Sequence, residues 1–309
     1  MLKQLRHHIV QNLWDQYRDT SPDMQRIDAA LKQKGIPHPL LDHFAVIDLP
    51  GPHTGIPYLS QVFSMIGYQE QGNDYLADKQ NDFRWMSEPY SAPLPAIEVL
   101  PQVVVADFRL DEMPCEVRKI IEKYSNQAQP SPLNTIQQLV KHASIGDTIA
   151  TTHCIQTIMN YFSGRDWPLP TMKEFHTVQE FNELLAWVLL FGRRPNHFTL
   201  SIHLLDHFTD LADFHRFIQD EVRLQLNQEG GTMKGGKSVG IAQGSTLGTT
   251  QTVNLSDGKI EIPTGFIEFV WRFPNDPACQ HPVLWSEYFT GFIAEHADRV
   301  IESLYLTRT

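Results

Sequence analysis

The chain has 309 residues, of which 41% are hydrophobic and 20% are charged, and its formal net charge at pH 7 is −11. This composition is typical of a soluble globular protein with a sizeable core, and the acidic balance disfavours nucleic acid or an anionic membrane as the main partner. The three cysteines form no C-x-x-C pair, so we expect a reduced, cytoplasmic protein without a structural zinc site.

The first 126 residues predict two helices followed by a β-α-β-β-β module. Apolar residues recur at helical spacing over residues 5–17 and 23–34, and charge interrupts the first stretch, unlike the apolar centre of a signal peptide. LLDHFAVIDL (40–49) predicts a buried strand, and a helix follows near residues 57–66. Three further strands are predicted in YQEQGNDYL, DFRWMS and IEVLPQVVVADF.

The remainder predicts a helical insert and a second module of the same kind. Residues 127–192 begin with the linker QAQPSPLN and then show helical periodicity. From residue 193 the first pattern returns: NHFTLSIHLL predicts a strand and TDLADFHRFIQDEVRLQL a helix. The three strand-like segments GGTMKGGKSVGIAQ, TLGTTQTVNL and IEIPTGFIEFVWRF precede a last helix over residues 286–306. We therefore expect one α+β domain, 1–309, with modules at 1–126 and 193–309.

The stretch GTMKGGKS (231–238) matches the G-x-x-x-x-G-K-S pattern of phosphate-binding loops. Such a loop leaves a buried strand and enters a helix whose N-terminus faces the phosphates. Here a charged amphipathic helix comes before the stretch, and VGIAQGSTLGTTQTV, rich in Gly, Thr and Val, comes after it. These flanks predict a hairpin, so we expect no nucleotide partner.

Three ionisable residues lie inside predicted apolar strands. His43 is in DHFAVIDL, His197 opens NHFTLSIHLL, and Glu268 is surrounded by the aromatic and aliphatic residues of TGFIEFVWRF. A buried, ionised and unpaired carboxylate would be costly, so Glu268 needs a cation, a proton or solvent. A metal ion held by two imidazoles and one carboxylate would satisfy all three, which is the donor set of non-haem Fe(II) oxygenases.

The residues alone also permit simpler interpretations. A histidine in a strand can be a hydrogen-bonded core or edge residue. Glu268 can pair with Arg84 or Arg272, or it can lie exposed at a strand edge. The face that His197 shares with the alternate residues of its strand is polar, which fits either a lined cavity or exposure to solvent.

The chain resembles the DUF1338 family, which includes 2-oxoadipate dioxygenase/decarboxylases (hydroxyglutarate synthases). The resemblance rests on LDHFAVIDLPGPHTG, DYLADKQNDFRWM, NELLAWVLLFGRRPNHFT, PTGFIEFVWR and GFIAEHADRVIESL. It implies a fold related to the vicinal-oxygen-chelate enzymes, with two βαβββ modules forming a partly closed β-barrel around a metal site and with inserted and terminal helices. It also implies that His43, His197 and Glu268 are the metal ligands.

The activity implied by the resemblance is that of a mononuclear Fe(II) dioxygenase/decarboxylase. Its partners would be O2 and a small, 2-oxoadipate-like 2-oxo acid, and its products a 2-hydroxy acid and CO2. The residues leave open a redox-neutral hydrolase, isomerase or lyase that uses Zn(II), Ni(II) or Mn(II), and a metal-free protein that binds a small ligand.

One position departs from the family pattern. The resemblance implies an arginine for the substrate carboxylate four residues after the first histidine, whereas this chain has Ile47. Arg84, on a neighbouring predicted strand, is the expected replacement, with both a catalytic and a substrate-binding role. The remaining candidates are Thr199 and Ser201 for substrate binding and His203 and His296 for catalysis.

Overall fold

The computed structural model describes residues 1–279 and 281–304. The chain opens with two helices, α1 (Leu2–Thr20) and α2 (Pro22–Gln33), as the periodicity predicts. Ser21 separates them, and its hydroxyl caps α2 by accepting a hydrogen bond from a first-turn amide. Near the end of α1 the Trp14 ring packs edge-on against Phe198, so the helix supports a central strand of the sheet.

The first module has the predicted order of a strand, a helix and three strands. The fourth strand of the module pairs in parallel with the first strand and antiparallel with the third. The other edge of the first strand pairs with the second module. The elements are β1 (Leu41–Ile47), α3 (Ile56–Met65), β2 (Gln69–Leu76), β3 (Asn81–Ser87) and β4 (Gln102–Phe108).

Helices fill the middle of the chain, as predicted. A Thr171–Glu174 capping box opens one helix, and the Asn182 side chain caps the helix that follows it directly. The last of these helices is buried from Leu184 to Phe191, which agrees with its uninterrupted apolar run LLAWVLLF. The helices are α4 (Cys115–Ser125), α5 (Leu133–Ala143), α6 (Thr148–Tyr161), α7 (Met172–Phe181) and α8 (Glu183–Phe191).

The second module repeats the element order but adds a separate hairpin, residues 250–263, before its last strand. Its strands and helices are β5 (His197–Ser201), α9 (Leu211–Phe217), β6 (Lys234–Gly236), β7 (Ile241–Ser245), β8 (Thr250–Asn254), β9 (Lys259–Pro263), β10 (Phe266–Arg272) and α10 (Ala294–Ile301). β6 and β7 form the hairpin predicted for GTMKGGKS, and the exposed Lys237 lies in the short turn between them.

Two predictions in this half are corrected. TLGTTQTVNL was expected as a module strand, but β8 pairs only with β9 in a separate two-stranded sheet. Its alternate residues are exposed, because Thr, Gln and Asn cannot replace the apolar side chains of a central strand. The last helix, expected over residues 286–306, is confined to α10 and a single following turn, and residues 305 and 306 lie outside the described residues.

The main sheet joins both modules in the strand order β2-β3-β4-β1-β5-β10-β7-β6. It curls into a half-barrel, and the predicted α+β fold of paired modules is confirmed. One hydrophobic cluster covers the convex face around Phe44, Phe198 and Phe269, and a second fills the concave face around Ile47, Phe83 and other side chains. The centre of the sheet, where β1, β5 and β10 are adjacent, is therefore shielded from water on both sides.

Within the described ranges, every helix is too short or too polar to cross a bilayer. The division of one domain at residues 126/127 and 192/193 stays a prediction.

Candidate metal centre

The three central strands bring His43, His197 and Glu268 together. In the antiparallel pair β1–β5, His43 lies opposite Thr199 and Ala45 lies opposite His197. In the parallel pair β10–β5, Glu268 also lies opposite Thr199. Because alternate residues of a strand share a face, all three ionisable side chains point to the concave side around one threonine, although they are far apart in sequence.

The three side chains form a compact and buried cluster. Glu268 Oε2 lies 3.2 Å from His43 Nε2 and 3.3 Å from His197 Nε2. One nitrogen or oxygen atom from each residue lies within 4.8 Å of the other two. The exposed fractions are 3% for His43, 6% for His197 and 2% for Glu268. This spacing suits a single metal ion held by one atom from each residue.

Neighbouring side chains orient both imidazoles. His43 Nδ1 lies 2.8 Å from Asp42 Oδ1, and His197 Nδ1 lies 2.8 Å from Asn196 Oδ1. When Nδ1 donates to these oxygens, each Nε2 directs its lone pair at Glu268. The cluster is then three acceptors facing one another, an arrangement that needs a positive charge between them. A divalent metal fits this requirement.

The electrostatics of these side chains agree with that conclusion. Burial lowers the pKa of His43, but the carboxylates of Glu268 and Asp42 outweigh burial and raise this pKa to about 9. Burial raises the pKa of Glu268, but the two histidines outweigh it and hold this pKa below its usual range. Burial and the nearby His43 together lower the pKa of His197 by more than Glu268 raises it. The cluster therefore favours a positive charge at this point, whether a proton or a metal ion.

Asp42 is held in turn by a buried arginine. Arg272 donates from Nε to Asp42 Oδ2 at 2.7 Å and from a terminal nitrogen to Asp42 Oδ1 at 2.8 Å. Its other N–H groups donate to Phe289 O, Gly291 O and Gln102 Oε1. Burial raises the pKa of Asp42, but Arg272 and His43 together outweigh it and hold this pKa below its usual range. Arg272, one of the partners considered for the glutamate, pairs with Asp42 instead.

Two polar side chains hold the carboxylate of Glu268. Thr199 Oγ1 donates to Glu268 Oε2 at 3.0 Å and lies 3.0 Å from His43 Nε2. Gln243 Nε2 donates to Glu268 Oε1 at 2.7 Å. The structure therefore brings the predicted Thr199 to the cluster and adds Gln243, which the sequence analysis missed. The signal for Gln243 in the sequence was its long amide side chain in the strand IAQGS, whose other residues are small or aliphatic.

The cluster opens onto a cavity of about 50 Å³ between β1, β3, β4 and the C-terminal segment. The edge of the Phe292 ring meets His43, with 4.8 Å between ring centroids. The rest of the lining is mainly apolar and comprises Ala45, Ile47, Leu76, Asn81, Phe83, Val104, Ala106, Asn196, Gln243, Ala297, Val300 and Ile301.

Arg84 and Ser201 lie outside this cavity. Arg84 is one residue further along β3 than Phe83, which lines the cavity, so its side chain points to the opposite face. There it is 43% exposed and pairs with Glu70 at 3.1 Å. Ser201 donates to Asp42 at 3.4 Å, behind the cluster. The structure therefore places the predicted substrate arginine away from the metal ligands.

His203 and His296 also lie outside it. His203 is in a short helical turn after β5, where its ring packs on Tyr288 and burial lowers its pKa to about 4. His296 is in α10 with its ring beside Gly235, and burial lowers its pKa. Neither histidine lines the cavity at the cluster. The sequence positions of the two histidines did not indicate on which side of the sheet they lie.

Comparison with known proteins identifies the family. The family model for 2-oxoadipate dioxygenase/decarboxylase matches residues 9–273. The chain is 26% identical over 309 residues to the rice protein named 2-oxoadipate dioxygenase/decarboxylase, chloroplastic/amyloplastic, covering 96% of this chain and 77% of that protein. It is 26% identical over 275 residues to the chloroplastic Arabidopsis thaliana protein of the same name, covering 85% and 68%.

Solved structures agree with the fold. Rice hydroxyglutarate synthase in complex with 2-oxoadipate superposes with a TM-score of 0.77 at 24% identity, covering 98% of this chain and 92% of that one. A Ralstonia eutropha protein described as a glyoxalase superfamily member superposes with a TM-score of 0.78 at 15% identity, covering 94% and 87%. The chain belongs to the 2-oxoadipate dioxygenase/decarboxylase family, and the prediction of an oxidoreductase enzyme is confirmed. The predicted cytoplasmic location stays a prediction.

Proposed function

We propose that this family member is a mononuclear Fe(II) dioxygenase/decarboxylase that converts a small 2-oxo acid into CO2 and the 2-hydroxy acid one carbon shorter. The observation that carries the proposal is the buried convergence of His43, His197 and Glu268 on one point. Two imidazoles and one carboxylate are the protein ligands of non-haem Fe(II) oxygenases. The relatives named 2-oxoadipate dioxygenase/decarboxylase support the reaction type.

The proposed reaction balances with O2 as the only co-reactant. R–CH2–CO–COO⁻ and O2 give R–CHOH–COO⁻ and CO2. The bond between C1 and C2 breaks, C1 leaves as CO2, and one oxygen atom converts C2 into the new carboxylate. The second oxygen atom enters a C–H bond at C3. Cleavage and hydroxylation each supply two of the four electrons that O2 accepts.

His43, His197 and Glu268 would hold the metal, which when bound would ligate the 2-oxo acid and activate O2. The protein's own contribution is to keep these donors in position. Asp42 and Asn196 fix the imidazole rings, and the hydroxyl of Thr199 and the amide of Gln243 hold Glu268. The apolar walls and the Phe292 ring keep water away from the reacting atoms.

The test is metal analysis of anaerobically purified protein followed by a screen of 2-oxo acids with Fe(II)-loaded protein. We expect one metal ion per chain and one O2 consumed per CO2 released. His43→Ala should abolish both O2 uptake and CO2 release. His203→Ala, which removes a histidine outside the cavity, should retain both. Turnover of a 2-oxo acid with Zn(II) and without O2 uptake would replace the proposal with a redox-neutral reaction.

A further inference from the structure

The wall facing the metal ligands is apolar except for Asn81 at one end of β3. It begins at Ile47, which is 3% exposed and lies on the same face of β1 as His43. The neighbouring strands β3 and β4 continue this wall, and the C-terminal segment covers the cavity. The apolar side chains that complete this wall are Phe83, Ala106, Phe292, Val300 and Ile301.

Among the residues that the structure describes, none that lines the cavity is a cation for a second carboxylate. Among the lining residues in the described ranges there is no lysine or arginine. Arg272, the arginine behind the cluster, uses its five N–H groups on Asp42 and on three other oxygen atoms. Arg84 points to the opposite face of the sheet and pairs with Glu70.

Two buried lysines lie near the cover but serve other partners. Lys79 pairs with Glu302 at 3.1 Å and with Asp298 at 3.8 Å, which ties the C-terminal segment to the first module. Lys234 in β6 donates to Asn227 O at 3.3 Å, and burial lowers its pKa. Lys234 lies opposite Gln243 in the β6–β7 pair, so it is the cation that an experiment must exclude.

These observations determine what kind of tail fits. The carboxylate and keto oxygens of a 2-oxo acid would be used at the metal, which leaves the tail against the apolar wall. A distal carboxylate there would be buried and unpaired, whereas an alkyl tail gains from burial. The cavity of about 50 Å³ limits the tail to a few carbon atoms, because a single water molecule needs about 10–15 Å³ of such cavity space.

We infer that the substrate is a monocarboxylic 2-oxo acid with a short aliphatic tail. This inference rests on the proposed function and names the substrate class of the same site. Ile47 is the specificity-determining residue, because its side chain lines the cavity on the same face of β1 as His43 and offers a distal carboxylate no partner.

The first experiment compares substrates that differ in the distal charge. Steady-state O2 uptake by Fe(II)-loaded protein is measured with 2-oxopentanoate, 2-oxohexanoate and 2-oxoadipate. We expect kcat/KM for the better monocarboxylate to exceed that for 2-oxoadipate by about 100-fold, since an unpaired buried charge costs several kcal/mol and each 1.4 kcal/mol is tenfold. A higher kcat/KM for 2-oxoadipate in the wild-type protein overturns the inference.

The second experiment measures binding without turnover. Calorimetry under anaerobic conditions with Zn(II)-loaded protein gives the Kd of the same three acids. Tighter binding of a monocarboxylate supports the inference even where no O2 is consumed, and in that case only the proposed reaction fails. Tighter binding of 2-oxoadipate overturns the inference, and so does the absence of binding by all three acids.

Variants identify the residue responsible. Ile47→Arg should shift the preference toward 2-oxoadipate by about tenfold or more, because the buried distal carboxylate gains a partner. Ile47→Met, which introduces a long side chain without a charge, is the control and should keep the wild-type preference. Lys234→Met should also leave the preference unchanged. A wild-type preference for 2-oxoadipate that disappears in Lys234→Met would assign the distal carboxylate to Lys234 and overturn the role of Ile47.

Discussion

The two βαβββ modules contribute different things to one site. The second module supplies two of the three proposed ligands, His197 and Glu268, together with Thr199 and Gln243, which hold the glutamate. The first module supplies His43 as its single ligand and otherwise presents a mainly apolar wall. Two modules with the same element order therefore have different roles. The second mainly positions the metal, and the first mainly shapes the space for substrate.

The division follows from the residues on the inward faces. In β5 and β10 the inward positions His197, Thr199 and Glu268 carry hydrogen-bonding or charged side chains, which satisfy one another. In β1 and β4 the inward positions beyond the histidine are Ala45, Ile47, Val104 and Ala106. A polar substitution in the first module should therefore change substrate choice, whereas a substitution in the second should change metal binding.

Removing a ligand is the largest perturbation of this arrangement. His43→Ala, His197→Ala and Glu268→Ala each leave two protein donors, so we expect metal affinity to fall by at least about 100-fold, more than for the loss of an outer partner. Metal content by mass spectrometry and folding by circular dichroism check this. The residual metal should be highest in His43→Ala, because both other ligands stay within one module. Stoichiometric metal in all three variants would rule out the site.

Asp42→Asn tests the support that the first module gives to its single ligand. We expect metal affinity to fall by about 10- to 100-fold, because the amide cannot hold the His43 ring as a carboxylate does. Arg272 would lose its buried counter-ion, so unfolding should become easier by about 3–5 kcal/mol. Chelator competition and urea unfolding measure the two effects. Ser201→Ala, at the other side of Asp42, is the control and should change neither by much.

Thr199→Val tests the corresponding support in the second module. The valine keeps the shape but removes the hydroxyl that donates to Glu268, and hydrogen bonds to charged groups contribute about 1.5–3 kcal/mol. We expect metal affinity to fall by about tenfold and to return with Thr199→Ser. Unchanged affinity in the valine variant, measured by chelator competition, would show that the glutamate is positioned without this threonine.

Arg84→Ala should have a small effect, although the residue belongs to the module that shapes the substrate space. Its exposed pair with Glu70 contributes about 0–1 kcal/mol, and its side chain is on the face away from the cavity. Steady-state kinetics should stay within about twofold of the wild type. A loss of activity above tenfold with full metal content would place the guanidinium at the substrate and contradict the division of work described above.

Lys237→Ala should have the smallest effect. The lysine is exposed in the turn between β6 and β7, and neither flank of GTMKGGKS forms the strand-to-helix junction of a phosphate loop. Calorimetry with ATP should detect no binding to either protein. Micromolar ATP binding that is lost in the variant would show that the hairpin is a second site in the second module.

The order of elements and the identity of the clustered residues could be predicted from the chain itself. Period-two and period-3.6 patterns are local, so they show where β1, α3 and the central helices lie. His43, His197 and Glu268 were conspicuous because an ionisable residue in an apolar strand is costly unless it has a partner. Their donor chemistry suggested one metal site for all three, the resemblance to the family implied the same site, and their role as metal ligands stays a proposal.

Tertiary structure decided which strands are neighbours and which face each side chain takes. Arg84 was chosen because its strand belongs to the same module, yet a shift of one residue along a strand turns a side chain to the other face, and Phe83 points to the cavity instead. Gln243 reaches Glu268 only because β7 pairs with β10 in the observed register. Pairing and register depend on contacts between residues far apart in sequence, whereas local periodicity specifies each strand separately.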